Sequence, residues 1–118
     1  MRVLVVDDEE DVQILVRLVL ESEGHEVLVA SNGDEARAFC QQGRVDALVL
    51  DVSLPTEDGP TVLATLREAG IAPTEVFLAS AITPRALGVM AADLGAHALS
   101  KPFTVATLKQ ALAPVLEG

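Results

Sequence analysis

The sequence predicts an α/β fold: a doubly wound parallel sheet of five strands with five helices on both faces. Three observations predict it. Short runs rich in Val and Leu alternate strictly with longer segments whose apolar residues recur at helical spacing. Turn and cap residues separate them, and no stretch has the composition of a linker. The central run Ala47-Leu48-Val49-Leu50 shows no polar alternation, as befits a parallel strand covered on both faces.

The first strand is Val3–Val6, ended by Asp7-Asp8-Glu9-Glu10-Asp11. Val12, Leu15, Val16 and Val19 then share one helix face, and the acidic start complements the positive end of the helix dipole. Gly24 is a C-terminal stop, while Ile14, Leu18 and Leu20 widen the apolar stripe beyond one core face. Glu26–Ala30 reads as the second strand. Ser31-Asn32-Gly33-Asp34 turns into a helix with Ala36, Phe39 and Cys40 on one face, stopped at Gly43. The third strand starts at about Asp46 and ends at Asp51. Pro55 and Asp58-Gly59-Pro60 mark the loop into a helix bearing Val62, Leu63 and Leu66, ended by Gly70.

Thr74–Ala79 is the fourth strand, ending at Ser80. Thr83-Pro84 pairs a cap with a proline at the first helical position; Leu87, Met90, Ala91 and Leu94 line that helix, and Gly95 stops it. Ala86, Gly88, Val89 and Ala92 lie off its core face, a surface suited to partner docking. His97–Ser100 is a short fifth strand followed by Lys101-Pro102. Thr104 caps the last helix, with Val105, Leu108, Leu112 and Val115 expected inward and Pro114 expected to fray or end it early.

A chain of 118 residues, half of them apolar and few aromatic, suits one domain with a core of Leu, Val and Ala. The net charge of −10 argues against a nucleic-acid surface and against binding to an anionic membrane. The single cysteine, Cys40, excludes an internal disulfide and is read as a buried, inert thiol; His25 and His97 lack a partner at metal spacing. The N-terminal apolar run is too short for a signal peptide, and no run approaches the ~20 residues of a membrane span. Residues 1–118 are therefore expected to form one soluble, cytoplasmic domain, with no output domain in this chain.

The polar residues that follow the strands carry the chemistry. Asp7 and Asp8 follow the first, Asp51 the third, Ser80 the fourth and Lys101 the fifth. In an open parallel sheet these positions share one edge, where ligands bind at the reversal of strand order. If the first and third strands are neighbours, three carboxylates converge, and a hard divalent cation such as Mg²⁺ relieves their repulsion. With a nucleophile, metal ligands, an ammonium and a hydroxyl, the edge has the residue types of a phosphoryl-transfer site. Taken singly, each has a plainer explanation. Asp8 could cap the following helix, Ser80 could be a strand-end hydroxyl and Lys101 a surface lysine. Their joint placement after strands on one edge favours the site.

These residues resemble the receiver domain of the two-component response regulators over essentially the whole chain. Asp7-Asp8 resembles its acidic pair, Asp51-Val52-Ser53-Leu54-Pro55-Thr56-Glu57-Asp58-Gly59 its phosphoacceptor signature, Ser80-Ala81 its hydroxyl-plus-small pair, and Lys101-Pro102-Phe103 its Lys-Pro-Phe end. The resemblance implies a flavodoxin-like strand order 2-1-3-4-5, an order that has a member of this family as a standard example.

It also implies that Asp51 accepts a phosphoryl group from a partner phosphohistidine, on a sensor histidine kinase or a histidine phosphotransfer protein. Asp8, Asp51 and the backbone carbonyl of Ser53 would ligate Mg²⁺, with Asp7 acting through water. Lys101 would pair with the phosphoryl group; the Ser80 hydroxyl and the Ala81 N–H would bind its oxygens. That motion would reshape the face of the fourth helix, fifth strand and fifth helix for an unknown downstream protein. Ser53 and Ile82 occupy positions that tune phosphoryl lifetime in the family. The Lys101-Pro102 bond is expected to be cis, as only ~5–6% of X–Pro bonds are. Ala98 stands where family members usually carry an aromatic, three residues before the lysine. The segment from Gly95 to Lys101 is one residue shorter than usual, and the acidic pair that many transcription-factor receivers carry there is absent.

The expected function is thus a phosphoacceptor switch rather than an enzyme. A pseudo-receiver acting by contact alone is disfavoured by the full set of Asp51, acidic pair, Ser80 and Lys101. An aspartyl-phosphate phosphohydrolase is disfavoured because such enzymes usually place the nucleophile after the first strand.

Overall fold

Five strands and five helices alternate in the computed structural model of the chain, which describes residues 1–116. They are β1 (Arg2–Val6), α1 (Glu10–Ser22), β2 (Glu26–Ala30), α2 (Gly33–Gln42), β3 (Ala47–Asp51), α3 (Gly59–Glu68), β4 (Glu75–Ser80), α4 (Pro84–Asp93), β5 (His97–Ser100) and α5 (Val105–Leu116). All strand pairs are parallel, in the order β2-β1-β3-β4-β5. This is the expected doubly wound, flavodoxin-like sheet.

Strand alternation divides the core in two. Leu4, Val6, Leu48, Leu50, Val76 and Leu78 face α2, α3 and α4, where Ala36, Val62, Leu63, Leu66, Leu87 and Ala91 cover them. Val3, Val5, Ala47, Val49, Phe77 and Leu99 face α1 and α5, against Val16, Leu20, Leu108 and Leu112. β3 is paired on both edges and buried along its whole length, so its continuous apolar run is what its position demands. The chain leaves β1 for β2 on one side and returns to β3 on the other. The reversal opens a crevice at the carboxyl ends of β1 and β3.

Helix ends follow local chemistry. Asn32, Asp58 and Thr83 accept the backbone N–H three residues on, capping α2, α3 and α4. Gly24, Gly70 and Gly95 follow α1, α3 and α4 at φ of 87°, 71° and 64°, where a side chain would be strained. Asp58→Ala should lower stability by about 1 kcal/mol, the usual worth of a cap. The hydrogen bonds from Thr61 hold the Asp58 carboxyl below its ordinary value. A lowered folded pKa means the contribution is present above the unfolded value and lost as pH falls through the folded one. Urea melts of the two proteins should therefore differ at pH 7 and draw together as pH falls below the ordinary carboxylate range.

Three expectations change. Val105 opens α5 at its solvent side and is 47% exposed; Leu116 is buried at the other end instead. Pro114 lies inside α5, which continues to Leu116, so it does not end the helix early. The proline removes a single hydrogen bond in the last turn, where few would follow. Of the residues that widen the α1 stripe, Leu20 is buried while Ile14 and Leu18 remain exposed. Ala86, Gly88, Val89 and Ala92 are exposed, and Met90 packs partly buried against the core. Cys40 is buried, and burial pushes its thiol above the ordinary value, as expected of an inert cysteine.

Candidate functional site

The sheet register assembles the site. Val6 pairs with Leu50, so Asp7 leaves β1 beside Asp51 at the end of β3. Ser80 ends β4 opposite Ser100, and the Lys101 N–H then donates to the Ser80 carbonyl at 2.8 Å. Four separate stretches of sequence thereby meet at one edge. The return of the chain after β3 depends on Gly59, whose N–H donates to the Val52 carbonyl at 2.8 Å. A Cβ there would overlap the Asp51 carbonyl oxygen and lie 3.1 Å from the Asp51 carbonyl carbon and from Val52 Cα. The Lys101–Pro102 bond is cis, as expected.

One carboxylate oxygen each from Asp7, Asp8 and Asp51 lies within 4.8 Å of the others. Asp7 and Asp51 are buried and Asp8 is exposed. Lys101 Nζ lies 2.8 Å from Asp7 Oδ2, 3.3 Å from Asp51 Oδ2 and 3.3 Å from Glu9 Oε1. Its side chain is only 12% exposed, so this is a lysine drawn in by charge rather than a surface one. Asp7 also accepts the Glu9 N–H through Oδ1 at 2.9 Å, so both of its oxygens are occupied. Asp51 Oδ1 accepts the Ser53 N–H at 3.1 Å. Ser80 Oγ accepts the Ile82 N–H at 3.1 Å, which leaves its own proton free to be donated. Asp8 does not cap α1: the cap position is Glu9, and its side chain makes no capping bond.

Burial raises the Asp51 pKa above the usual carboxylate range and the Asp7 charge adds to it, against the Ser53 N–H and Lys101. Burial alone would lower that of Lys101; the hydrogen bond to Asp7 and the charges of Asp51 and Asp7 reverse this and raise it. These donors suit a hard cation. Three carboxylates converge, all with oxygen ligands, beside an open cleft of about 310 Å³ lined by Asp8, Glu9, Asp51, Ser53, Ser80, Ala81 and Lys101. All the residues predicted for the site except Asp7 line that cleft, and Asp7 lies beneath it, held to Lys101.

Glu9 is the site residue that sequence reasoning missed. It sits within an acidic run, and only the path of the chain after β1 brings its carboxylate to Lys101. The histidines lie apart from this chemistry. His25 Nδ1 meets the terminal amino group at 3.1 Å, and His97 Nε2 meets Glu75 at 3.0 Å with its ring against Phe77. Ala98, in β5, is exposed and pairs in register with Leu78.

Comparisons with known proteins identify the family and match the fold. The sequence model of the response regulator receiver domain matches residues 3–113. The transcriptional regulatory protein DltR of Streptococcus agalactiae is 36% identical over 87% of this chain and 46% of its own length. The transcriptional regulatory protein TrcR of Mycobacterium tuberculosis is 37% identical over 91% of this chain and 42% of its own. The chain thus spans less than half the length of these curated relatives. Among solved structures, the chemotaxis response regulator CheY4 of Vibrio cholerae superposes with a TM-score of 0.87 at 31% identity, covering 98% of each chain.

Proposed function

Because the chain belongs to the response regulator receiver domain family, we propose that it is a Mg²⁺-dependent phosphoacceptor switch in which Asp51 takes a phosphoryl group from a partner phosphohistidine. The observation that carries this reading is the convergence of the Asp7, Asp8 and Asp51 carboxylates at the switch point of the sheet, with Lys101 against Asp7 and Asp51.

In the proposed step an Asp51 carboxylate oxygen bonds to phosphorus while the phosphorus–nitrogen bond breaks, and the electron pair returns to the imidazole. Asp8, Asp51 and the Ser53 carbonyl would hold the cation, and Asp7 would act through water, since Lys101 and the Glu9 N–H occupy its oxygens. When bound, Mg²⁺ neutralises charge developing on the transferred group. Lys101 is already positioned beside Asp51 and supplies a second positive charge to the phosphoryl oxygens. The Ser80 hydroxyl and the Ala81 N–H donate to the product, whose phosphoryl group carries roughly −1.5 to −2 charge in place of the single negative charge of the carboxylate and biases the α4-β5-α5 face toward a second packing. A histidine kinase or phosphotransfer protein would dock on the apolar cleft beside the carboxylates, which Val12, Leu15, Pro102 and Phe103 line.

The domain, residues 1–118, is proposed to work in the cytoplasm. Among the described residues no helix is long and apolar enough to cross a membrane. Transcriptional regulation, named for the curated relatives, is a proposal for any longer protein that carries this domain. We assign no nucleic-acid contact to the acidic surface described here, which has a formal charge of −10 over the chain.

The test is phosphorylation by a small acyl phosphate with Mg²⁺, read by intact mass. The wild type should gain one phosphoryl group, and Asp51→Asn should gain none or only a minor-site adduct. No adduct in the wild type, or an equal adduct in the variant, overturns the assignment of Asp51. Turnover of unrelated phosphate esters would favour a phosphohydrolase instead.

A further inference from the structure

A charged pair outside the site ties the β3–α3 loop to α2. The span between β3 and α3 carries Ser53, and backbone bonds hold its two ends: the Val52 N–H to the Ala79 carbonyl at 2.9 Å and the Gly59 N–H to the Val52 carbonyl at 2.8 Å. Between them Leu54 packs on the core, and Glu57 reaches sideways to α2, 20 residues earlier in the chain. Its carboxylate meets the Arg37 guanidinium at 2.5 Å, with the two side chains 23% and 26% exposed. Arg37 also reaches Asp34 at 2.7 Å and the Thr65 hydroxyl on α3 at 3.0 Å. One guanidinium fork thus joins α2, the loop and α3.

The seat is built for this carboxylate. Glu57 Oε1 occupies the space a Cβ at Gly33 would fill, in the first turn of α2. A helix N-terminus favours negative charge there, independently of Arg37. The Thr56-Glu57 pair sits inside the phosphoacceptor signature, yet neither residue has a role in the site itself.

We propose that the Arg37–Glu57 pair is a positioning device that holds the β3–α3 loop so that Ser53 presents its carbonyl to the cation, and that it thereby sets Mg²⁺ affinity. This rests on the phosphoacceptor reading above. Both residues act through the loop and neither touches the reacting atoms.

The signs of the effects separate positioning from simple electrostatics. Removing the Glu57 charge should weaken cation binding through space, and removing the Arg37 charge should strengthen it. A positioning role weakens binding in both cases. The experiment titrates metal-free protein with Mg²⁺ and follows backbone amide shifts by NMR. Glu57→Gln and Arg37→Met should each raise the Mg²⁺ dissociation constant roughly threefold to fivefold. The double variant should be no weaker than either single one, and Arg37→Lys should fall between Arg37→Met and wild type. Phosphorylation at saturating Mg²⁺ should keep its wild-type rate.

Tighter Mg²⁺ binding in Arg37→Met, unchanged binding in both single variants, or additive losses in the double one would overturn the proposal while leaving the phosphoacceptor reading intact. Failure of the wild type to bind Mg²⁺ would overturn that reading and this one together.

Discussion

Gly59→Ala should destabilise the protein by about 2–3 kcal/mol and slow phosphorylation of Asp51, although Ala is the better helix former of the two. Gly59 is the first residue of α3 and is buried. Its φ is not in the left-handed region, so conformational freedom is not what the glycine supplies. The added methyl would overlap the Asp51 carbonyl oxygen and crowd Asp51 C and Val52 Cα, all of them backbone atoms. No flexible side chain is available to yield. Relief must come from moving the end of β3, or from moving α3 with its buried Val62, Leu63 and Leu66. Either movement shifts the Asp51 carboxylate or the loop that carries Ser53. Denaturant melts should show the lost stability, and acyl-phosphate labelling at saturating Mg²⁺ should show a slower rate. Wild-type stability with wild-type labelling would mean that the loop is not packed against Asp51 as described.

The residues differ in how far sequence reveals them. β3 is legible because burial on both faces requires a continuous apolar run, and Ala47–Leu50 is one. Asp51 is legible because it ends that run, and the other site residues because parallel strands bring their ends to one edge. Gly59 is legible as part of a turn, but the reason for a glycine is an atomic approach that no spacing expresses. Glu9 and Arg37 are hidden for a related reason. Each is a charged residue among other charged residues, and only the folded path brings it to Lys101 or Glu57. Periodicity counts spacing along a helix and therefore predicts Val105 inward. It carries no information on the angle at which the chain enters α5, and the first turn lies at the solvent side. β5 pairs in register with β4 from Phe77–His97 to Ser80–Ser100, with Ala98 exposed beside Leu78. The segment before Lys101 is thus long enough to bring the lysine N–H to the Ser80 carbonyl, which the register shows and residue spacing does not.

Lys101→Met should lower stability by about 3 kcal/mol at pH 7, a fall in Tm of roughly 10–15 °C for a domain of this size. Methionine retains much of the apolar length of the lysine but removes the one ammonium that sits between Asp7 and Asp51. Those carboxylates are 3% and 5% exposed at the side chain, so water does not replace it. The pH dependence gives the cause. Burial and the Asp7 charge already raise the Asp51 pKa, and Lys101 is among the groups that oppose the rise. Without the lysine, the folded pKa of Asp51 rises further above its unfolded value. A raised folded pKa means that stability is retained below the unfolded value and lost as pH increases through the folded one. The gap between variant and wild type should accordingly be wide at pH 7 and narrow toward pH 4. Added Mg²⁺ should narrow it at pH 7 as well, because a cation on the same carboxylates stabilises the folded state by mass action. A loss caused by packing alone would be the same at both pH values and insensitive to Mg²⁺. Melts at the two pH values, with and without Mg²⁺, therefore separate the electrostatic role of Lys101 from its packing, and a gap unchanged by either treatment would remove the lysine from the charge balance of the site.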